Sequence, residues 1–455
     1  MLESTPDNFT TDDLDNQKAT LWLSGAALFL LSAVFFIIQA MHPPDWDAFQ
    51  YMSIAQQFSE TGMESYKKDV RTYFYPWVLS LIISLSKVTN LPTRILLFVF
   101  QTSFYFFCVN RLARAISIKN KKLGQIILVV LSVNIFVIPY LSLSLTEGIF
   151  LSLFILWLSA FTRLEKFVNK DHNPSDLKKE IILIAAASGI ILVTRPAGLW
   201  ICCTSFVMLL LKWKAIYSKF KPLQLTLLLV LAFFTFAAPL IPQFYLNAVN
   251  FQKASPFPVK DLAGFQIQVG IENLKYGTNI SGGEPAIWYP NPFMTDNAAS
   301  ELGYRWYFYH PVKAFLTVLF KFIAAFDFEY LFCYVADLRP PYRWLTTLTS
   351  QTIFIIGLWR AITYCTKKDS FIGNYTMPLV CLFFWGLFTM PTALELRFSL
   401  PMQIIFLILT VQYLMEYRNY ARRNKIKMVG IYLVSMLIIV PIAYYVSTLN
   451  VLLNQ

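Results

Sequence analysis

The sequence predicts an all-α protein, a polytopic transmembrane helical bundle of about 11 to 13 spans. Three observations predict it. The 455 residues are 56% hydrophobic and only 14% charged, where a soluble chain carries roughly 25% charged residues; mean hydropathy is +0.53. Apolar runs approaching the ~20 residues that cross a bilayer recur along the chain. Lys and Arg collect in short segments between alternate runs, as cytoplasmic loops of membrane proteins do.

The first run, Leu21 to Ala40, follows an acidic tail (Asp7, Asp12, Asp13, Asp15) and offers no small-residue cleavage site, so it reads as a span and not a cleaved signal. Further spans are expected at 92–110, 123–141, 145–162, 180–194, 197–211, 222–243, 344–359, 374–392, 397–415 and 428–447. With the N-terminus inside, the inner segments 111–122, 163–179, 212–221, 360–369 and 416–427 hold 22 of the 38 Lys and Arg residues. That distribution accounts for the net charge of +12 through topology and gives no reason to invoke nucleic acid. Residues 76–90 and 312–333 are apolar enough to dip into the membrane. Counting the first as a crossing would place RLARAISIKNKK outside, so both read as surface or re-entrant helices.

The expected organisation is a cytoplasmic tail (1–19), an N-terminal transmembrane core (20–243) whose first outer loop is 41–91, a long outer loop (244–343), and C-terminal transmembrane helices (344–455). The segment 244–343 is too long for a plain connector, and its Pro, Gly, Asn and aromatic content suits a lid. The cysteines (Cys108, Cys202, Cys203, Cys333, Cys365, Cys381) form no CxxC pair, and His42, His172 and His310 are far apart. Neither a disulfide framework nor a structural zinc site is supported.

Chemistry gathers at the outer membrane edge. In the stretch from His42 to Trp77, Asp47, Tyr51 and Ala55 share one helix face, Gln50 and Ile54 lie beside it, and Gly62 is a natural stop. Lys67, Lys68 and Arg71 follow, then Tyr73-Phe74-Tyr75 closed by Pro76. Glu147 opens the fourth span directly after Thr146. Arg195 sits in Thr-Arg-Pro between two short apolar runs, an interruption that points to a binding site. Glu395 and Arg397 lie in ELRFSLP.

Taken singly, each charge has a local explanation: a snorkelling arginine, a capping acid or a self-satisfied Glu–Arg pair. Together, Asp47, Arg71, Glu147, Arg195, Glu395 and Arg397 at one membrane level point to a ligand that carries phosphate, because ionisable groups there are costly unless they face a cavity or pair. Asp327 and Glu329 in FDFEY read as cap or surface positions, and Arg339-Pro340-Pro341 as a helix breaker.

With these residues laid out, the chain resembles the GT-C superfamily of polytopic glycosyltransferases, above all those using polyprenyl-phosphate sugars, such as protein O-mannosyltransferases and aminoarabinose transferases of lipid A. The resemblance rests on Asp47-x-x-x-Tyr51-x-x-x-Ala55, the basic-aromatic element Arg71 to Pro76, Thr146-Glu147, Thr194-Arg195-Pro196 and the late Glu395-x-Arg397-Phe398-x-x-Pro401. It is a resemblance of order and topology across nearly the whole chain. Many relatives carry adjacent acids in the first loop, whereas here Trp46 separates Asp45 from Asp47, and Asp45 could share or take the role. The His-Pro-x-Asp start is also similar to eukaryotic mannosyltransferases of glycolipid-anchor assembly. The chain ends at Gln455 just after the last span, which argues against an oligosaccharyltransferase.

The resemblance implies a bundle of GT-C type with outer-face juxtamembrane helices. It implies an inverting transfer of a sugar from a polyprenyl-phosphate donor to a hydroxyl of a lipid, glycan or protein acceptor within the lipid bilayer. Asp47 is the expected base, with Asp45 as substitute; Arg71, Arg195 and Arg397 would hold the donor phosphate. Glu147 would orient the sugar or acceptor, Tyr51 would support the base, and Tyr75 and Glu395 would help position substrate. A divalent metal is compatible with so many acids, although no ligand spacing demands one. The expected membrane is the bacterial inner membrane with the site facing the periplasm, and the endoplasmic reticulum is the alternative; Asn279-Ile280-Ser281 is an outer-side sequon. The rival class is a transporter or flippase of a polyprenyl-linked or other anionic substrate, which would place its polar groups nearer mid-membrane.

Overall fold

The computed structural model describes residues 11–40, 46–66, 71–169, 174–259, 262–277, 287–294, 303–328, 343–364, 376–449 and 451–452. The architecture is an all-α polytopic bundle. Six helical stretches among the described residues are long and apolar enough to cross a membrane: Asn16–Ala40, Thr93–Ser117, Thr146–Val168, Pro222–Phe251, Leu396–Tyr417 and Arg422–Thr448. The helices Phe74–Thr89 and Thr376–Thr389 and the stretch Pro196–Leu211 are apolar but shorter.

The N-terminal half builds from α1 (Thr11–Ala40), α2 (Trp46–Thr61), α3 (Phe74–Thr89), α4 (Thr93–Ser117), α5 (Lys121–Ser132), α6 (Thr146–Asn169), α7 (Pro174–Thr194) and α8 (Leu199–Leu211). Helix α6 lies at its centre between α4 and α7. Phe154, Ile155 and Trp157 on α6 are fully buried, so this apolar run faces protein and not lipid. On α1 the pattern reverses: Trp22, Leu23 and Leu30 are exposed, as a lipid-facing helix requires.

Local chemistry sets the ends. Gly62 adopts φ 81°, a left-handed value cheap only for glycine, and its N–H donates to Phe58 O at 3.1 Å to close α2. The Asn120 side chain caps α5 by accepting from Leu123 N at 2.9 Å. Helix α3 stands where a surface or re-entrant helix is expected: Tyr75, Leu79, Ile82 and Ile83 are buried, and Leu81, Leu85 and Val88 face outward.

The expected span 123–141 is shorter in the structure. Helix α5 ends at Ser132, and a 3-10 turn occupies Ile138–Ser142. Asn134 is the cause: its Oδ1 accepts from Phe136 N at 3.1 Å, an Asx turn that competes with helix continuation. Its Nδ2 donates to Gln403 on the C-terminal helix Leu400–Tyr417 at 3.3 Å, which fixes the turn inside the bundle.

The segment after Phe251 carries the helices Leu262–Glu272 and Pro311–Ala324 and two strands, β1 (Asn273–Gly277) and β2 (Ile287–Pro290), which form a small antiparallel sheet with β3 (Val451–Leu452), the strand that follows the last helix. Tyr276 pairs with Trp288 across β1 and β2, their rings stacked at 5.2 Å, and Trp288 pairs with Val451. Asp327 is buried and not a surface residue. It binds Lys275 of β1 at 3.1 Å and accepts from Thr347 at 2.9 Å, tying the sheet to the helix Arg343–Tyr364. A buried charge is retained when paired in this way.

Candidate functional site

The first turns of α2 and α6 supply two of the acids. Asp47 and Glu147 each stand in the opening turn of their helix, where unsatisfied N–H groups and the helix dipole favour negative charge. Arg195 sits at a forced break. Pro196 bars the preceding residue from helical geometry, and Arg195 is extended at φ −154°, ψ 116° between α7 and the 3-10 turn Pro196–Gly198. Gly198 lets that turn close down, since a Cβ there would stand 2.5 Å from Ile191. Glu395 is likewise extended, immediately before the 3-10 turn Leu396–Ser399 that carries Arg397.

These breaks converge. Arg397 is the hub: Nε binds Glu395 Oε2 at 2.5 Å, Nη1 binds Glu147 Oε1 at 3.0 Å and Nη2 binds Asp47 Oδ2 at 3.1 Å. Three nitrogens of one guanidinium therefore serve three carboxylates, each from a different part of the chain. Arg195 Nη1 binds the same Glu147 Oε1 at 2.6 Å, and Arg71 Nη2 binds Asp47 Oδ1. The result is one continuous network of three arginines and three carboxylates with no formal net charge.

Neighbours fix the arginines. Arg71 donates to Gln50 Oε1 from Nε at 3.2 Å and from Nη2 at 3.0 Å, and stands 5.1 Å over the Tyr51 ring. Tyr51 meets Tyr75 edge-on at 5.1 Å between ring centroids. The Tyr75 hydroxyl is buried without a hydrogen-bond partner among the described residues, so it is a donor to spare beside the site. Arg195 stacks on Phe398 at 4.3 Å.

Of the nine residues singled out by sequence, six form the network and Tyr51 and Tyr75 pack beside it; Asp45 lies outside the described residues, as do Lys67, Lys68 and Glu329. Exposure grades across the cluster. Glu147, Glu395 and Arg397 are nearly sealed, whereas the side chains of Asp47, Arg71 and Arg195 are 19%, 20% and 14% exposed and form the open side.

Burial pushes the Asp47 carboxyl up, but the Arg397 and Arg71 guanidiniums outweigh it and hold the group below its ordinary value. At Glu395 the balance goes the other way: burial dominates the attraction of Arg397, and its pKa is raised. No group of three or more His, Cys, Asp or Glu among the described residues is arranged to hold a metal ion.

Sequence reasoning missed what holds Arg397 in place. The strap Met390 to Leu394, which delivers Glu395 and Arg397, is gripped along its length by residues between Leu262 and Ala324. Lys321 Nζ, fully buried, donates to Met390 O at 3.1 Å and Thr392 O at 2.7 Å. Tyr307 Oη donates to Pro391 O at 3.0 Å, Ala393 N to Gln266 O at 2.7 Å and Tyr276 N to Leu394 O at 2.9 Å. Gly270 presses on the strap so closely that a Cβ would stand 2.4 Å from Thr392 C. The one available signal was Lys321 itself, a cation in the last turn of an otherwise apolar run.

Fold and site together define a polytopic helical membrane protein with an arginine–carboxylate network where its helix ends meet. No protein-family model matches the chain, and no curated protein matches it. Among solved structures it is similar to the archaeal oligosaccharyltransferase AglB from Archaeoglobus fulgidus, in complex with an inhibitory peptide and a dolichol-phosphate, with 12% sequence identity and a TM-score of 0.43. The match covers 93% of this chain and 55% of that one, so the chain spans about half the length of the structure it matches.

Proposed function

We propose that the protein is a membrane glycosyltransferase of GT-C type that moves a sugar from a polyprenyl-phosphate carrier to an acceptor hydroxyl on the outer face of the membrane, in a bacterium the periplasmic face of the inner membrane. The observation that carries this reading is the convergence of Arg71, Arg195 and Arg397 on three shared carboxylates. Three guanidiniums in one cluster suit a phosphate, which takes paired N–H contacts and offers no proton of its own.

The acceptor oxygen attacks the anomeric carbon, its proton passes to Asp47, and the sugar–phosphate C–O bond breaks with its electron pair going to the polyprenyl phosphate. That leaving group is already an anion, so no general acid is needed. The task is to stabilise growing phosphate charge with preplaced cations. Arg397, held by three carboxylates, is the fixed point. Arg71, held by Asp47 and Gln50, and Arg195, held by Glu147 and Phe398, stand on the open side and would turn from those contacts toward an incoming phosphate. When Arg71 does so, Asp47 loses one of its two cations and becomes a stronger base at the moment one is required. Glu147 and Glu395 hold Arg195 and Arg397, Tyr51 backs Arg71, and the spare Tyr75 hydroxyl is available to the sugar. In-line displacement gives inversion.

The test is reconstitution in vesicles with a panel of polyprenyl-phosphate sugars, scoring both transfer to added acceptors and movement of donor between leaflets. Transfer with inverted product supports the proposal. Donor movement with no transfer under any acceptor condition assigns the same residues to a carrier.

A further inference from the structure

At the far end of the same helices lies a second cationic site. Arg163 is 16 residues beyond Glu147 on α6, about 24 Å along the axis at 1.5 Å per residue. An open cavity of about 590 Å³ lies there between α4, α6 and α7, with Arg111, Arg163, Lys179, Asp176 and Glu180 among its lining residues. Three cations against two acids leave an excess positive charge, unlike the balanced network at the other end. The rest of the wall, Phe167 included, is apolar.

The charges are not equally satisfied. Arg111 is engaged, with Nη2 on Glu180 Oε2 at 2.5 Å and Nε on Ser159 Oγ at 3.0 Å. Lys179 reaches Asp176 at 3.1 Å on an exposed surface. Arg163 is left with a remote contact, 3.6 Å from Nη1 to Glu180, and its Nε is shielded from water without an acceptor among the described residues. Nε is as closed to the cavity as to water, so the part that faces a ligand is the rest of the guanidinium. The side chain is 26% exposed, and its nearest acid among the described residues is Glu180, at that long contact. Its N–H donors suit an anion in the cavity.

We propose that this cavity binds a phosphate-bearing anion, with Arg163 as its main ligand and Arg111 and Lys179 as flanking charges. A planar guanidinium suits a phosphate that meets it through two oxygens. The cavity's apolar wall suits a headgroup that keeps its chains in the bilayer, although a soluble phosphate compound offers the same chemistry. This site does not depend on the transferase reading.

The experiment uses the full chain in nanodiscs of phosphatidylcholine, with and without phosphatidylglycerol. Lipid retained through detergent exchange is measured for the wild type, Arg163→Gln, Arg163→Lys and, as an exposed cation elsewhere, Arg423→Gln. The expected result is selective retention of phosphatidylglycerol that weakens about tenfold in Arg163→Gln, in keeping with loss of a charge-assisted contact. Arg163→Lys recovers part of it, and Arg423→Gln matches the wild type. Inorganic phosphate added in competition separates the sources: displacement of the lipid, dependent on Arg163, assigns the site to soluble phosphates as well, and resistance assigns it to a headgroup. Equal retention by Arg163→Gln and Arg423→Gln, with both proteins folded, overturns the proposal in favour of diffuse surface attraction.

Discussion

Arg397 and Asp47 are 350 residues apart in the chain and 3.1 Å apart in the structure. That contact closes helix α2 onto the late helices and makes one site of two halves. It also means that the residue proposed to take the acceptor proton is held by a cation proposed to hold the phosphate.

Arg397 cannot be replaced by another cation. Lysine keeps the charge but presents a single point, and cannot reach Glu395, Glu147 and Asp47 together. Arg397→Lys is expected to keep the fold and to lower transfer by about 10²-fold, the scale for losing one preplaced donor. Arg397→Ala leaves buried carboxylates uncompensated and is expected to cost about 3–5 kcal/mol of stability, read as a clear drop in thermal midpoint in detergent.

Glu147 and Arg195 are coupled rather than independent. Removing either strands its buried partner, so the double variant Glu147→Gln/Arg195→Gln is expected to be more stable than the sum of the single losses predicts, by about 0.5–3 kcal/mol. A thermal double-mutant cycle measures this. Additive losses would contradict the coupling of Glu147 to Arg195.

The strap gives a prediction far from the network. Lys321→Met removes both contacts to Met390 and Thr392, and Gly270→Ala drives a methyl group into Thr392. Both are expected to lower the turnover rate by about tenfold, the scale of a misplacement transmitted to a catalytic group, while expression and helicity are kept. Transfer assays on the purified variants decide it.

How much of this was legible in the sequence follows from the physics of burial. Ionisable side chains at the ends of apolar helices stand out because the membrane penalises them, and Asp47, Glu147, Arg195, Glu395 and Arg397 were visible for that reason. Pro196 and Gly62 announced their backbone breaks through geometry alone. Pairing was not legible: nothing in a one-dimensional string shows that three nitrogens of Arg397 divide among three acids. Lys321 was hidden for the opposite reason, since a lysine near the end of an apolar helix looks like one that snorkels, and the Lys275–Asp327 pair was hidden because its members are 52 residues apart. The short α5 turned on Asn134, whose side chain ends the helix inside an apolar run that otherwise reads as a span.

Acid dependence follows from the Asp47 carboxyl. Its folded pKa lies below the ordinary 3.8, so its contribution to stability is present above that value and is lost as pH falls through and below it. The thermal midpoint of the wild type is expected to exceed that of Asp47→Asn by a constant margin at neutral pH, and the margin is expected to narrow below about pH 4. A margin that already narrows between pH 7 and 5 would mean that the arginines do not hold Asp47 ionised.

The most direct measurement is sugar transfer by Asp47→Asn beside the wild type, with binding of the polyprenyl-phosphate donor measured on the same preparations. The account predicts that transfer falls by about 10²-fold or more, as loss of a general base does, while donor binding persists because the arginines remain. Undiminished transfer by Asp47→Asn, with a folded protein and normal donor binding, would contradict it.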